Sequence, residues 1–184
     1  MADPLISSIE ALLWPQGFTR DVWMIVDGAR DRRVYSSLIG SYLEYTCLYA
    51  GDLPPSLESA APYLVQLDFE GSYTRNLIRQ AWGNSWGVLL RCDESMERIR
   101  RHLRQFLRVQ DSRGRFLVFR YYDPRVLRAY LPTCNNEELR TVFGPIKTFY
   151  MEDENPDSVL DFRREAGRLA TKKIALLGQE VEEQ

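Results

Sequence analysis

The feature that most constrains this chain is an uninterrupted apolar run, Val22-Trp23-Met24-Ile25-Val26, that stops at Asp27-Gly28. Five apolar residues without alternation suit a strand covered on both faces, because a half-exposed strand alternates apolar with polar side chains. Such a strand needs neighbours along its edges and a layer above and below it. The run therefore predicts a sheet sandwiched by other elements.

The surrounding pattern supplies those elements. A short amphipathic helix opens the chain and ends near Trp14-Pro15, and a helix over residues 32–39 follows the apolar run. A second apolar stretch, Leu43 to Tyr49, closes on the turn Gly51-Asp52-Leu53-Pro54-Pro55. The order then repeats: strand at Tyr63–Leu67, helix at Thr74–Trp82, strand at Trp86–Arg91. Alternating strands and helices predict an α/β protein with a mixed sheet covered by helices; an α+β arrangement is the alternative.

The clearest helix runs from Asp93, placed to cap it, to Arg108. It carries Met96, Ile99, Leu103, Phe106 and Leu107 on one arc and five arginines on the other. Residues 107–110 and 115–121 flank Asp111-Ser112-Arg113-Gly114 and read as a β-hairpin. Asp123-Pro124 pairs a capping residue with a first-turn proline, which starts the next helix. A helix at 136–143 stops at Gly144-Pro145, and residues 146–151 add a strand. Beyond the acidic Glu152-Asp153-Glu154, a last helix places Val159, Phe162, Ala166, Leu169, Ala170, Lys173 and Leu177 on one stripe, with Gly178 as terminator. The expected organisation is a core over residues 1–150 and a small helical C-terminal lobe over 151–184, its helix and acidic tail packed on or beside the core.

Charge is strongly segregated. Residues 91–128 hold eleven Arg against five carboxylates, a net +6, while the segments on either side are each −4. Arg presents a planar fork suited to carboxylates, phosphates and aromatic faces, so this middle segment calls for an anionic or aromatic partner, inside the fold or outside it. Interleaved with Phe106, Phe116, Phe119, Tyr121 and Tyr122, it also fits a nucleic-acid surface. The acidic balance of the whole chain opposes that reading, and internal ion pairing explains the same arginines.

The residues give no catalytic constellation. His102 is the lone histidine and sits at the border of the apolar and basic arcs of its helix; Cys47, Cys92 and Cys134 are widely spaced and form no CxxC pair. There is no P-loop and no GxGxxG. Asp27, at the carboxyl end of the apolar run, is read as a cap or as an Arg partner. No enzyme activity, metal or cofactor is expected, nor a membrane span or signal peptide, and the odd cysteines fit a reducing cytoplasm.

Several phrases occur in one order: Val26-Asp27-Gly28-Ala29, Cys47-Leu48-Tyr49-Ala50-Gly51, Ala61-Pro62-Tyr63-Leu64-Val65, Trp82-Gly83, Trp86-Gly87 and His102-Leu103-Arg104. Phe106-Leu107-Arg108-Val109, then Phe119 through Leu127, then Phe143-Gly144-Pro145 continue it. Together they resemble the bacterial family catalogued as domain of unknown function 4123. The resemblance implies a type VI secretion adaptor, or chaperone, that binds one toxic effector in the cytoplasm and loads it onto a VgrG spike. The expected partners are then that effector and a VgrG, with no nucleic acid and no membrane. Asp27, Gly28, His102, Arg120, Tyr122, Asp123, Pro124 and Arg125 are the family-motif residues, read as structural. The effector is expected in a groove beside the Arg helix, on Arg98, Arg101, Arg104 and Arg108 with Trp86 as a neighbouring aromatic. The alternative function is a nucleic-acid-binding domain using residues 91–128.

Overall fold

The computed structural model describes residues 3–17, 19–110 and 113–176. Its centre is a seven-stranded sheet in the order β2-β3-β1-β4-β7-β8-β9. The strands are β1 (Val22–Asp27), β2 (Tyr45–Cys47), β3 (Pro62–Gln66), β4 (Gly87–Arg91), β7 (Thr148–Glu152), β8 (Ser158–Glu165) and β9 (Arg168–Ala175). Strands β5 (Arg108–Gln110) and β6 (Phe116–Val118) form a separate two-stranded sheet.

Every residue of β1 is buried, as a continuous apolar run requires. Val22, Met24 and Val26 point into one core, which is covered by α1 (Pro4–Leu13), α2 (Arg32–Ile39) and α4 (Ser72–Ala81). Trp23 and Ile25 point into the other, under α5 (Met96–Arg104), α6 (Pro124–Tyr130) and α7 (Asn136–Phe143). The sheet is thus the middle of three layers, and the α/β class holds.

The expectation of a mixed sheet is corrected, because every pairing in the seven-stranded sheet is antiparallel. The reason lies in strand order. β3, α4 and β4 do make a crossover between two parallel strands, yet β1 is inserted between them and runs against both. Alternation of strands and helices in a chain records which elements succeed each other; it does not record which strand is slotted into the gap.

The C-terminal helix is also corrected. Residues 158–175 form the β8–β9 hairpin, joined by Ala166 and Gly167, both at positive φ (48° and 80°). Two positive φ values match the twist of a tight hairpin, for which Asn-Gly or Asp-Gly is the usual signal. Ala at the first position hid the turn, and the apolar residues happened to fall at helical spacing. The hairpin extends the main sheet through β7, so it forms no helical lobe. The expected terminator Gly178, Leu177 and the acidic tail lie outside the described residues, as do Asp111 and Ser112 of the earlier hairpin turn. The cap of α5 is Ser95, whose hydroxyl accepts from the Arg98 N–H, and Asp93 instead pairs with Lys147.

Candidate functional site

Helix α5 sorts its arginines into three groups. Arg98 and Arg101 pair along the helix with Glu94 (3.2 Å) and Glu97 (2.9 Å), exposed i,i+4 pairs of modest strength. Arg100 reaches back to the sheet edge and donates to the carbonyls of Cys47 (2.7 Å) and Tyr49 (3.2 Å), fixing the segment after β2 against the helix. Arg104, and Arg108 at the start of β5, make neither an ion pair nor a side-chain hydrogen bond with any described residue. No described side chain neutralises these two guanidiniums.

They stand at the rim of a groove of about 550 Å³. Leu53 and Leu57 of the turn and α3 (Pro55–Glu58) line one side; Leu107 and Val118 line the other, with Leu48 and Tyr49 between. Arg108 pairs across the small sheet with Val118, and Gln110 with Phe116, so these four side chains share one face of the hairpin. The apolar surface therefore continues from Val118 to Phe116, which is 73% exposed. Leu57, Val109 and Leu117 are exposed as well. A hairpin that leaves Phe-Leu-Val in water is the kind of patch that marks an interaction surface.

Beneath this face lies a polar node that the family-motif residues build. The Asp27 side chain, 1% exposed at the end of β1, accepts from the Ala29 N–H (3.0 Å) and pairs with Arg120. Gly28 follows because its backbone donates to the Ala61 carbonyl, which a Cβ at this position would approach to 2.5 Å. Asp123 caps α6 through the Arg125 N–H (3.0 Å) and holds the Arg125 guanidinium with both oxygens (2.9 and 2.6 Å). Pro124 is buried in the first turn, and Tyr122 is buried beside the node. His102 lies against the Val142 carbonyl (2.9 Å) and edge-on to Phe106; burial lowers its pKa and keeps the imidazole neutral near pH 7. Each of these residues has a partner that its position in the fold explains.

The structure thus divides the expected docking residues. Arg104 and Arg108 meet at the groove, whereas Arg98 and Arg101 are occupied by their own helix. Trp86 is corrected: it is 1% exposed, sits in the core under the Arg33 guanidinium (5.3 Å to the ring centroid), and presents no surface. Sequence reasoning missed Leu53, Leu57, Phe116 and Val118. The run Phe116-Leu117-Val118 was legible as a strand, but only the three-dimensional arrangement reveals that it pairs outside the main sheet. Among the described residues no three His, Cys, Asp or Glu side chains converge as a metal site would need, and no helix is long and apolar enough to cross a membrane.

The node also sets an acid limit. Burial pushes the Asp123 carboxyl up, but Arg125 and the helix N–H outweigh it and hold the pKa below the ordinary 3.8. Arg33 holds Asp31, the α2 cap, down to about 2. Carboxyls with depressed folded-state pKa values contribute stability that is complete above their unfolded values and lost as pH falls through the folded ones. The urea midpoint is expected to stay level between pH 7 and 5 and to fall steadily from about pH 4 towards 2. A midpoint rising over that lower interval would contradict these pairings.

Residues 22–141 match the family described as Domain of unknown function (DUF4123). That span runs from β1 to within α7 and contains the groove and all the motif residues of the node. No curated protein and no solved structure matches the chain.

Proposed function

The chain belongs to the DUF4123 family, and from that premise we propose that it is a type VI secretion adaptor. In this reading it is a non-catalytic cytoplasmic protein that captures one toxic effector and delivers it to a VgrG spike. The observation that carries the proposal is the exposed apolar face of the β5–β6 hairpin, continuous with a groove rimmed by two uncommitted arginines. Interfaces concentrate their energy in a few apolar and Arg anchors of this kind, and a rigid three-layer base limits the ordering cost of docking. The resemblance along Phe119–Leu127 bears on the same region, since Arg120 ties the segment leaving the hairpin to Asp27 of β1 and Asp123 caps the helix that follows.

The nucleic-acid alternative is weaker on charge. Arg91 pairs with Asp21, Arg120 with Asp27 and Arg125 with Asp123, while Arg98, Arg100 and Arg101 are engaged as described above. Three carboxylates from outside the segment, Asp21, Asp27 and Glu154, pair with its Arg91, Arg120 and Arg128, which reduces the excess charge that could displace counterions from a phosphate backbone.

The hairpin supplies the test. Phe116→Asp with Val118→Asp is expected to reduce at least tenfold the co-purification of whichever product of the neighbouring genes the parent protein captures. The two side chains are already exposed, so the urea midpoint should barely move. Full recovery of the effector by the doubly substituted protein would remove this face from the account.

A further inference from the structure

The groove admits a narrower reading of what it binds, one that rests on the adaptor proposal for its biological setting but can be tested without it. We propose that the groove takes an acidic amphipathic segment of the partner protein: a short helix whose apolar stripe enters between Leu57 and Val118, and whose flanking carboxylates pair with Arg104 and Arg108.

Three observations converge on this chemistry. The groove volume, about 550 Å³, accommodates a few apolar side chains, and most of its lining is apolar, with Leu48 and Leu107 buried. The charged residues lining it, Arg104 and Arg108, are both basic and pair with no carboxylate among the described residues; the one acidic residue of α5, Glu97, lies in its first turn and pairs with Arg101. Helix-in-groove recognition uses this combination, an apolar stripe for affinity and edge charges for register and partner choice. Arg suits the rim better than Lys, since its fork can take a carboxylate with two parallel bonds. Arg100 holds the Cys47–Tyr49 side of the groove in place, so the opening exists before the partner arrives.

The test uses two labelled 16-residue peptides with leucines at i, i+3, i+4 and i+7, one flanked by glutamates and the other by lysines, titrated into the full chain. The Glu-flanked peptide is expected to bind at least tenfold more tightly, to weaken as salt rises, and to lose that margin in Arg104→Glu/Arg108→Glu. Leu57→Asp should weaken both peptides. Equal binding of the two peptides, indifference to the charge reversal, or displacement of the Glu-flanked peptide by a single-stranded 20-mer DNA at equal concentration would overturn the proposal. Capture of the effector by a protein indifferent to these peptides would sink the groove chemistry while leaving the adaptor reading intact; peptide binding without effector capture would do the reverse.

Discussion

Gly87→Ala is expected to destabilise the protein by about 3 kcal/mol or more, because a Cβ at this position has nowhere to go. It would lie 2.0 Å from the Ile25 carbonyl oxygen and 2.9 Å from its carbon, both backbone atoms of the central strand. That strand is held in register by β3 on one side and β4 on the other, so the clash is relieved only by displacing paired backbone. Gly83→Ala provides the contrast. Gly83 has φ 76°, and its added Cβ meets only Pro156, at 3.7 Å. Its cost is the left-handed backbone alone, about 1 kcal/mol. Urea denaturation of the two variants beside the parent should separate them clearly, and equal midpoints would refute the close approach at Gly87.

Arg120→Ala is the second large effect. It leaves the Asp27 carboxylate buried with the Ala29 N–H as its remaining donor. Breaking a fully buried pair costs about 3–5 kcal/mol, but the Arg120 side chain is 42% exposed and water can replace part of it, so about 2–3 kcal/mol is expected. Arg120→Lys should fall between the variant and the parent. The double substitution Asp27→Ala/Arg120→Ala should cost less than the sum of the single ones, since the second removes the group the first would strand. Strict additivity in that cycle would show that the two residues do not hold each other. Because Arg120 anchors the chain just after β6, its loss should also loosen the base of the β5–β6 hairpin.

How far the sequence reaches is visible in particular residues. Val22–Val26 announced a doubly covered strand because burial on both faces removes any need for polar alternation, and Asp123-Pro124 announced a helix start because capping is local chemistry. The C-terminal hairpin was lost at Ala166, where one alanine occupies a backbone conformation that sequence normally marks with Asn, Asp or Gly. Glu152 shows a second kind of limit. Its carboxylate accepts from the N–H groups of Gly83 and Ser85 and from the Ser85 hydroxyl, closing a turn nearly seventy residues away in the chain. In the sequence it was one of three consecutive acids in a loop. Charge partners at long separation are invisible to spacing rules, which is also why the Arg helix read as one uniform face. The structure splits it by the partner each arginine finds, and the two left over define the groove.

The most direct test of the adaptor account is binding between purified proteins: this chain, a candidate effector and a candidate VgrG drawn from the products of its neighbouring genes, measured by calorimetry and size-exclusion chromatography. The account predicts a complex of defined stoichiometry with the effector, and recovery of VgrG with that complex. No association with either protein at micromolar concentration, alongside tight, salt-sensitive binding of nucleic acid, would contradict it.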